Sequence, residues 1–231
     1  MLIRNRIISL IYRIVELGLG LYTLVLLFLA DRTDANAFQS LVYFGNECMF
    51  ITVIIVFLEV IFNAIDLARN GKNGVAAYVY MPLTLAVLAY LLSDALVYNI
   101  SAPLLGGYAT GEELFVVLLA HIVMPLVFLL DYLLFMEKGT VHLKHVLFSW
   151  CYPIVYFALI MSAHYIFQNN IYPYPFLNDK NFQNASDVVL SGNKGWNGVL
   201  IATASLLIGM LLFSFLFVFL NNLLAGKYKK R

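Results

Sequence analysis

Six long apolar stretches fill most of this chain, and a soluble domain of 231 residues has no interior large enough to hide them. They run over Ile7–Ala30, Leu41–Ile65, Ala77–Tyr98, Leu114–Met136, Val146–Phe167 and Val199–Leu220. An apolar run crosses the roughly 30 Å hydrocarbon core of a bilayer once it reaches about 20 residues. In that medium each backbone N–H and C=O must find its partner inside the segment, which a helix provides. The reading is therefore an all-α polytopic membrane bundle of six transmembrane helices. Composition agrees, with 62% hydrophobic and 12% charged residues and a mean hydropathy of +0.86. No connection is large enough to fold alone, so residues 1–231 form a single domain. The longest, Gln168–Asn197, is polar and carries Pro173 and Pro175.

The basic residues set the expected orientation. They gather at the N-terminus (Arg4, Arg6, Arg13), in the second and fourth connections (Arg69, Lys72; Lys138, Lys144) and at the C-terminus (Lys227, Lys229, Lys230, Arg231). The other connections hold only Arg32, Lys180 and Lys194. By the positive-inside rule both termini are cytoplasmic, as an even number of spans requires. Arg4 and Arg6 precede the first span as in a secretory signal. That span is too long, however, and Phe28 is bulky where cleavage before Asp31 would need a small residue. The short connections suit a bacterial plasma membrane. Asn99-Ile100-Ser101 and Asn184-Ala185-Ser186 match glycosylation sequons on expected outer loops and matter only in a eukaryotic secretory pathway.

Several chemistries are disfavoured. Cys48 and Cys151 belong to different depths, which argues against a disulfide. Paired-cysteine metal motifs and a Walker-type phosphate loop are absent, and Gly106–Gly111 reads as a glycine-rich outer loop. No basic aromatic patch suggests nucleic acid. No cofactor is expected, and the oligomeric state is not legible.

Function is to be sought among the polar groups at bilayer depth, where an Asp at mid-helix costs about 2.5–3.5 kcal/mol on insertion scales. In span 2, Gly45, Cys48, Thr52, Glu59, Asn63 and Asp66 recur at helical spacing and draw one stripe, opposite Ile51, Ile54, Leu58, Ile61 and Ile65. Glu47 falls off the stripe, near the outer interface, and is expected to be solvated. Spans 2 and 4 both enter from outside, so Cys48, Thr52 and His121 share a depth, and span 3 brings Ser93 and Asp94 into that layer. His164 of span 5 lies slightly higher. The inner half offers Glu16, Glu59 and Asp131, the last expected to pair with a basic partner. His142 and His145 are expected in solvent. Prolines remove backbone donors. Pro125 frees the carbonyl of His121, four residues back, and Pro82 and Pro153 predict comparable defects in spans 3 and 5.

Three segments carry a family resemblance. They are His121-Ile-Val-Met-Pro-Leu-Val-Phe-Leu-Leu-Asp131-Tyr-Leu-Leu-Phe, Trp150-Cys-Tyr-Pro-Ile-Val-Tyr156 and Tyr172-Pro-Tyr-Pro-Phe-Leu177. Over spans 2 to 6 the chain resembles a bacterial family of predicted six-transmembrane proteins, grouped with the androgen-induced and androgen-dependent membrane hydrolases of animals. Those hydrolases cleave fatty acid esters of hydroxy fatty acids with an intramembrane threonine as nucleophile and a histidine as base. The resemblance implies His121 as the base. It places the threonine in Tyr43-Phe44-Gly45-Asn46, where family members read Tyr-Phe-Thr and this chain has Gly45. Met49 stands where an asparagine is expected.

Three functions follow as expectations. The first is hydrolysis of a membrane lipid ester, with Cys48 or Thr52 as relocated nucleophile, His121 as base, Asp94 as its orienting carboxylate and Ser93 as a spare hydroxyl. Gly45, Asp131, His164, Tyr172 and Tyr174 are the expected binding residues, and Tyr172–Leu177 is a candidate lid. The second is a non-catalytic lipid-binding or scaffold protein in the bilayer, in which Gly45 serves close helix packing. The third is a small ion-coupled transporter using Glu16, Glu59, Asp66 and Asp131, or, as a variant, a metal held by Asp94, His121 and His164.

Overall fold

The computed structural model describes residues 3–30, 42–104, 112–167 and 196–228. They form α1 (Arg6–Ala30), α2 (Phe44–Asn70), α3 (Met81–Leu104), α4 (Glu112–Leu118) and α5 (Met124–Phe135). Two long helices follow, α6 (Phe148–Phe167) and α7 (Trp196–Tyr228). A π-helical turn, Leu119–Val123, joins α4 to α5, and a 3₁₀ turn, Leu143–Leu147, leads into α6. Six helical units are long and apolar enough to cross a membrane, which makes this a multi-pass helical membrane bundle. Among the described residues the only β feature is an isolated bridge between Asn5 and Asn73.

The bundle is organised around α3, which packs against α2, α5 and its π turn, α6 and α7. Its middle, Val87, Leu88 and Ala89, is completely buried. α1 lies outside this group, against α2 and α5. The stripe on α2 is real: Cys48, Thr52, Glu59 and Asn63 are buried, whereas Ile54, Ile61 and Ile65 on the other face are exposed. A helix with one polar stripe turned inward and aliphatic residues outward is the arrangement a lipid solvent demands.

One end of the bundle is tied by backbone bonds, where Ile3 N–H donates to Leu134 O at 3.0 Å and Arg6 N–H to Lys72 O at 2.8 Å. The Arg6 guanidinium donates to Asp66 and to the carbonyls of Gly71 and Asn73. Gly71 and Gly74 have positive φ there (73° and 137°), and a β-carbon on Gly74 would collide with that guanidinium. This end of the bundle holds the N-terminal residues.

Three expectations need correction. Pro82 is the second residue of α3, where its missing N–H has no helical partner to lose, so it causes no defect within the span. Asn99 lies within α3, and its side chain donates to Ala95 O at 2.7 Å, so this sequon is helical and not in a loop. Glu47 is half-buried and accepts the Tyr152 hydroxyl of α6.

Candidate functional site

Pro125 shapes the first polar centre. With no N–H at 125, the chain closes a wider turn over Leu119–Val123, and Met124 N–H donates to Leu119 O. A π turn of this kind re-aims the side chains it carries. It carries His121, whose carbonyl, freed as the proline spacing predicts, receives the Asn99 side chain of α3 at 3.5 Å. The imidazole stacks on Tyr98, ring centres 4.1 Å apart and planes 1° from parallel. Asp94 Oδ2 lies 2.9 Å from His121 Nδ1. The two atoms are close but not aligned for a hydrogen bond. Asp94 and His121 thus come together as their shared depth predicts.

Gly45 explains the position of Asp94. A β-carbon built on residue 45 would lie 2.6 Å from both carboxylate oxygens. The Asp94 carboxylate therefore occupies the space of a residue-45 side chain, and any substitution there must move it.

The relocated nucleophiles fare differently. Cys48 is fully buried in the hydrophobic core with Phe44, Ile55 and Val56. Thr52 is equally buried, and its hydroxyl donates back to Cys48 O at 2.8 Å. Among the described contacts neither touches His121. Ser93 borders a cavity, with its hydroxyl buried in the wall. Its Oγ has no hydrogen-bond partner, nor does Thr203 Oγ1 on α7.

Ser93 and Thr203, together with Asp94, line a cleft of about 90 Å³ between α2, α3, α6 and α7. The rest of its wall is almost wholly apolar, including Phe44, Phe157, Leu207 and Met210. Val97 at its edge is exposed on the outer face of the bundle. Polar groups unpartnered in an apolar wall are sites where a ligand's own donors and acceptors bind.

A second polar centre lies toward the N-terminal end. Arg13 of α1, wholly buried, grips Asp131 of α5 with Nε at 3.0 Å and Nη2 at 3.2 Å. It also contacts Glu59 of α2 at 3.4 Å and donates to Ala77 O. Asp131 has its basic partner, as expected, but that partner is Arg13, which the charge pattern places at the N-terminal flank. The missed signal is that Arg13 lies inside the first apolar stretch, three residues from Glu16, and so shares its helix face. Glu16 is 1% exposed and both its oxygens lack a partner.

Among the described residues no group of three or more His, Cys, Asp or Glu is placed to hold a metal. The side chain of His164, with Tyr172, Tyr174 and the Tyr172–Leu177 segment, lies outside the described residues. No protein-family model, curated protein or solved structure matches the chain.

Proposed function

We propose that this multi-pass membrane protein holds a membrane lipid in the cleft between α2, α3, α6 and α7, with Asp94, Ser93 and Thr203 meeting the lipid's polar part. The observation that carries this reading is an apolar cleft bordered by Asp94 and by two residues, Ser93 and Thr203, whose buried hydroxyls have no partner. The wall suits acyl chains, and the hydroxyls can each give and take a hydrogen bond. The exposed edge at Val97 offers lateral entry from the bilayer. The placement of Lys and Arg supports cytoplasmic termini, and the short connections support a bacterial plasma membrane.

A second reading, hydrolysis of a lipid ester, draws on the Asp94–His121 pair. In it Ser93 Oγ bonds to the acyl carbon, its proton passes to His121 and then to the leaving alcohol, and water later releases the acid. Cys48 and Thr52 are poorer candidates for that role, because neither lines the cleft and the Thr52 hydroxyl is bonded to backbone.

Mass spectrometry of lipid co-purifying with the protein tests both. Lipid binding predicts intact lipid retained by wild type and lost in Leu207→Trp, with Asp94→Asn altering which headgroups are kept. Fatty acid released from an ester, abolished by His121→Ala and Ser93→Ala, would favour hydrolysis. Wild type without specific lipid and without turnover would overturn both.

A further inference from the structure

The Arg13 centre is unbalanced, and the imbalance falls on one group. One guanidinium faces three carboxylates, Glu16, Glu59 and Asp131, all at most 1% exposed. The guanidinium's contacts go to Asp131, Glu59 and the Ala77 carbonyl. None goes to Glu16, although its carboxylate feels the charges of Asp131, Glu59 and Arg13. A buried carboxylate with neither hydrogen bond nor counter-ion exchanges its charge for a proton more readily than it remains charged.

A polar ladder connects this point to one end of the bundle. On α1, Arg6, Ser9, Arg13 and Glu16 share a face, and on α2, Asp66, Asn63 and Glu59 face them. Arg6 pairs with Asp66. Asn63 Nδ2 donates to Ser9 Oγ at 2.6 Å and to Arg6 O at 3.3 Å. Asn63 Oδ1 is buried without a partner, a second vacant acceptor along the same line. From residue 6 to residue 16 the ladder rises about 15 Å at 1.5 Å per residue. Beyond Glu16 it stops. Gly20 abuts Val53 and Met124, and these two pack with Leu24, Met49 and Ala120 into an apolar plug.

We propose that Glu16 is a one-sided proton-exchange site, reached from the N-terminal end of the bundle along the Asp66–Asn63–Glu59 ladder and sealed from the opposite end by the Val53–Met124 plug. The groups facing it are Tyr12 and Arg13 from α1, Glu59 from α2 and Asp131 from α5, with Lys138 acting on Asp131 from the following loop. α4 presents only apolar described side chains. The proton on Glu16 sets the charge that Arg13 must balance. It therefore governs how Arg13 divides its bonds between α2 and α5, and couples pH on one side to the seating of α1.

Infrared difference spectroscopy of the full chain in lipid nanodiscs, stepped in pH, reads the protonated carboxylic acid directly. A carboxylic carbonyl band that disappears as pH rises is expected in wild type and lost in Glu16→Gln. The band should persist at a shifted position in Glu16→Asp, the safeguard should the glutamine variant not fold. It should respond more slowly to a pH jump in Asn63→Leu. No titrating band in wild type, a band unchanged in Glu16→Gln, or a band that follows sodium and not pH would overturn the proposal.

Discussion

Asp94 Oδ2 stands 2.9 Å from Nδ1 of His121, and the same carboxylate fills the space that a β-carbon on residue 45 would take. Three helical segments thereby set one close contact: α2 supplies the vacancy, α3 the carboxylate, and the π turn before α5 the imidazole. A site with polar groups on separate helices is held in place only while those helices keep their spacing, so its geometry reports on packing as well as on chemistry.

Gly45→Ala should therefore cost more than a glycine-to-alanine change in a helix ordinarily does. The new methyl must displace Asp94, and overpacking of this kind costs about 1–3 kcal/mol. Gly18→Ala is the control, since a β-carbon there meets nothing within 4 Å and helix propensity alone favours alanine by about 1 kcal/mol. Thermal unfolding in detergent should fall for the first and hold or rise for the second. The ring ¹⁵N signals of His121 should change only in the first.

Thiol labelling separates the two cysteines. Cys151 is exposed and Cys48 is buried, so N-ethylmaleimide should modify Cys151 in the folded protein and reach Cys48 only on unfolding. Modification of Cys48 at a comparable rate in the folded state would restore it as a candidate nucleophile.

Arg13→Met should be among the most damaging single changes. It strands Asp131 and Glu59 in the interior without their cation, and breaking one partner of a buried ion pair costs about 3–5 kcal/mol. Asp131→Asn keeps hydrogen-bonding capacity and removes one of the three negative charges, so it should cost less. Denaturant or thermal midpoints of the purified variants check the order.

Lys138 gives a pH dependence of definite sign. Its ammonium sits 3.4 Å above the Tyr132 ring and donates to the carbonyls of Tyr132 and Met136. Burial brings it down from 10.5 to about 7, against the opposing pull of Asp131. Between about pH 7 and 10.5 the unfolded chain holds a proton that the folded chain has released. Stability from this group therefore rises with pH across that window. Comparing unfolding midpoints of wild type and Lys138→Met should show the slope reduced in the variant.

The extent to which the site is legible in sequence follows from what periodicity encodes. The stripe on α2 was readable because a helix repeats its faces, and the defect at His121 because a proline four residues on always removes the same donor. Shared depth brought Asp94 and His121 into one layer, but depth does not fix azimuth. It placed Cys48 and Thr52 in that layer too, where the first faces the core and the second bonds its own helix. Arg13 near a terminus resembles a cytoplasmic flank in sequence, and only tertiary packing reveals that it is the counter-ion of α2 and α5. Thr203 carries no local signal. It enters the cleft because α7 packs on α3 and α6.

The most direct test of lipid binding in the cleft is photo-crosslinking with a phospholipid bearing a diazirine on its acyl chain, mapped by peptide mass spectrometry. The account predicts adducts concentrated on Val97, Phe157 and Leu207 and lost in Leu207→Trp. Adducts spread evenly over outward-facing residues such as Ile11, Leu159 and Leu212, unchanged by that substitution, would contradict it.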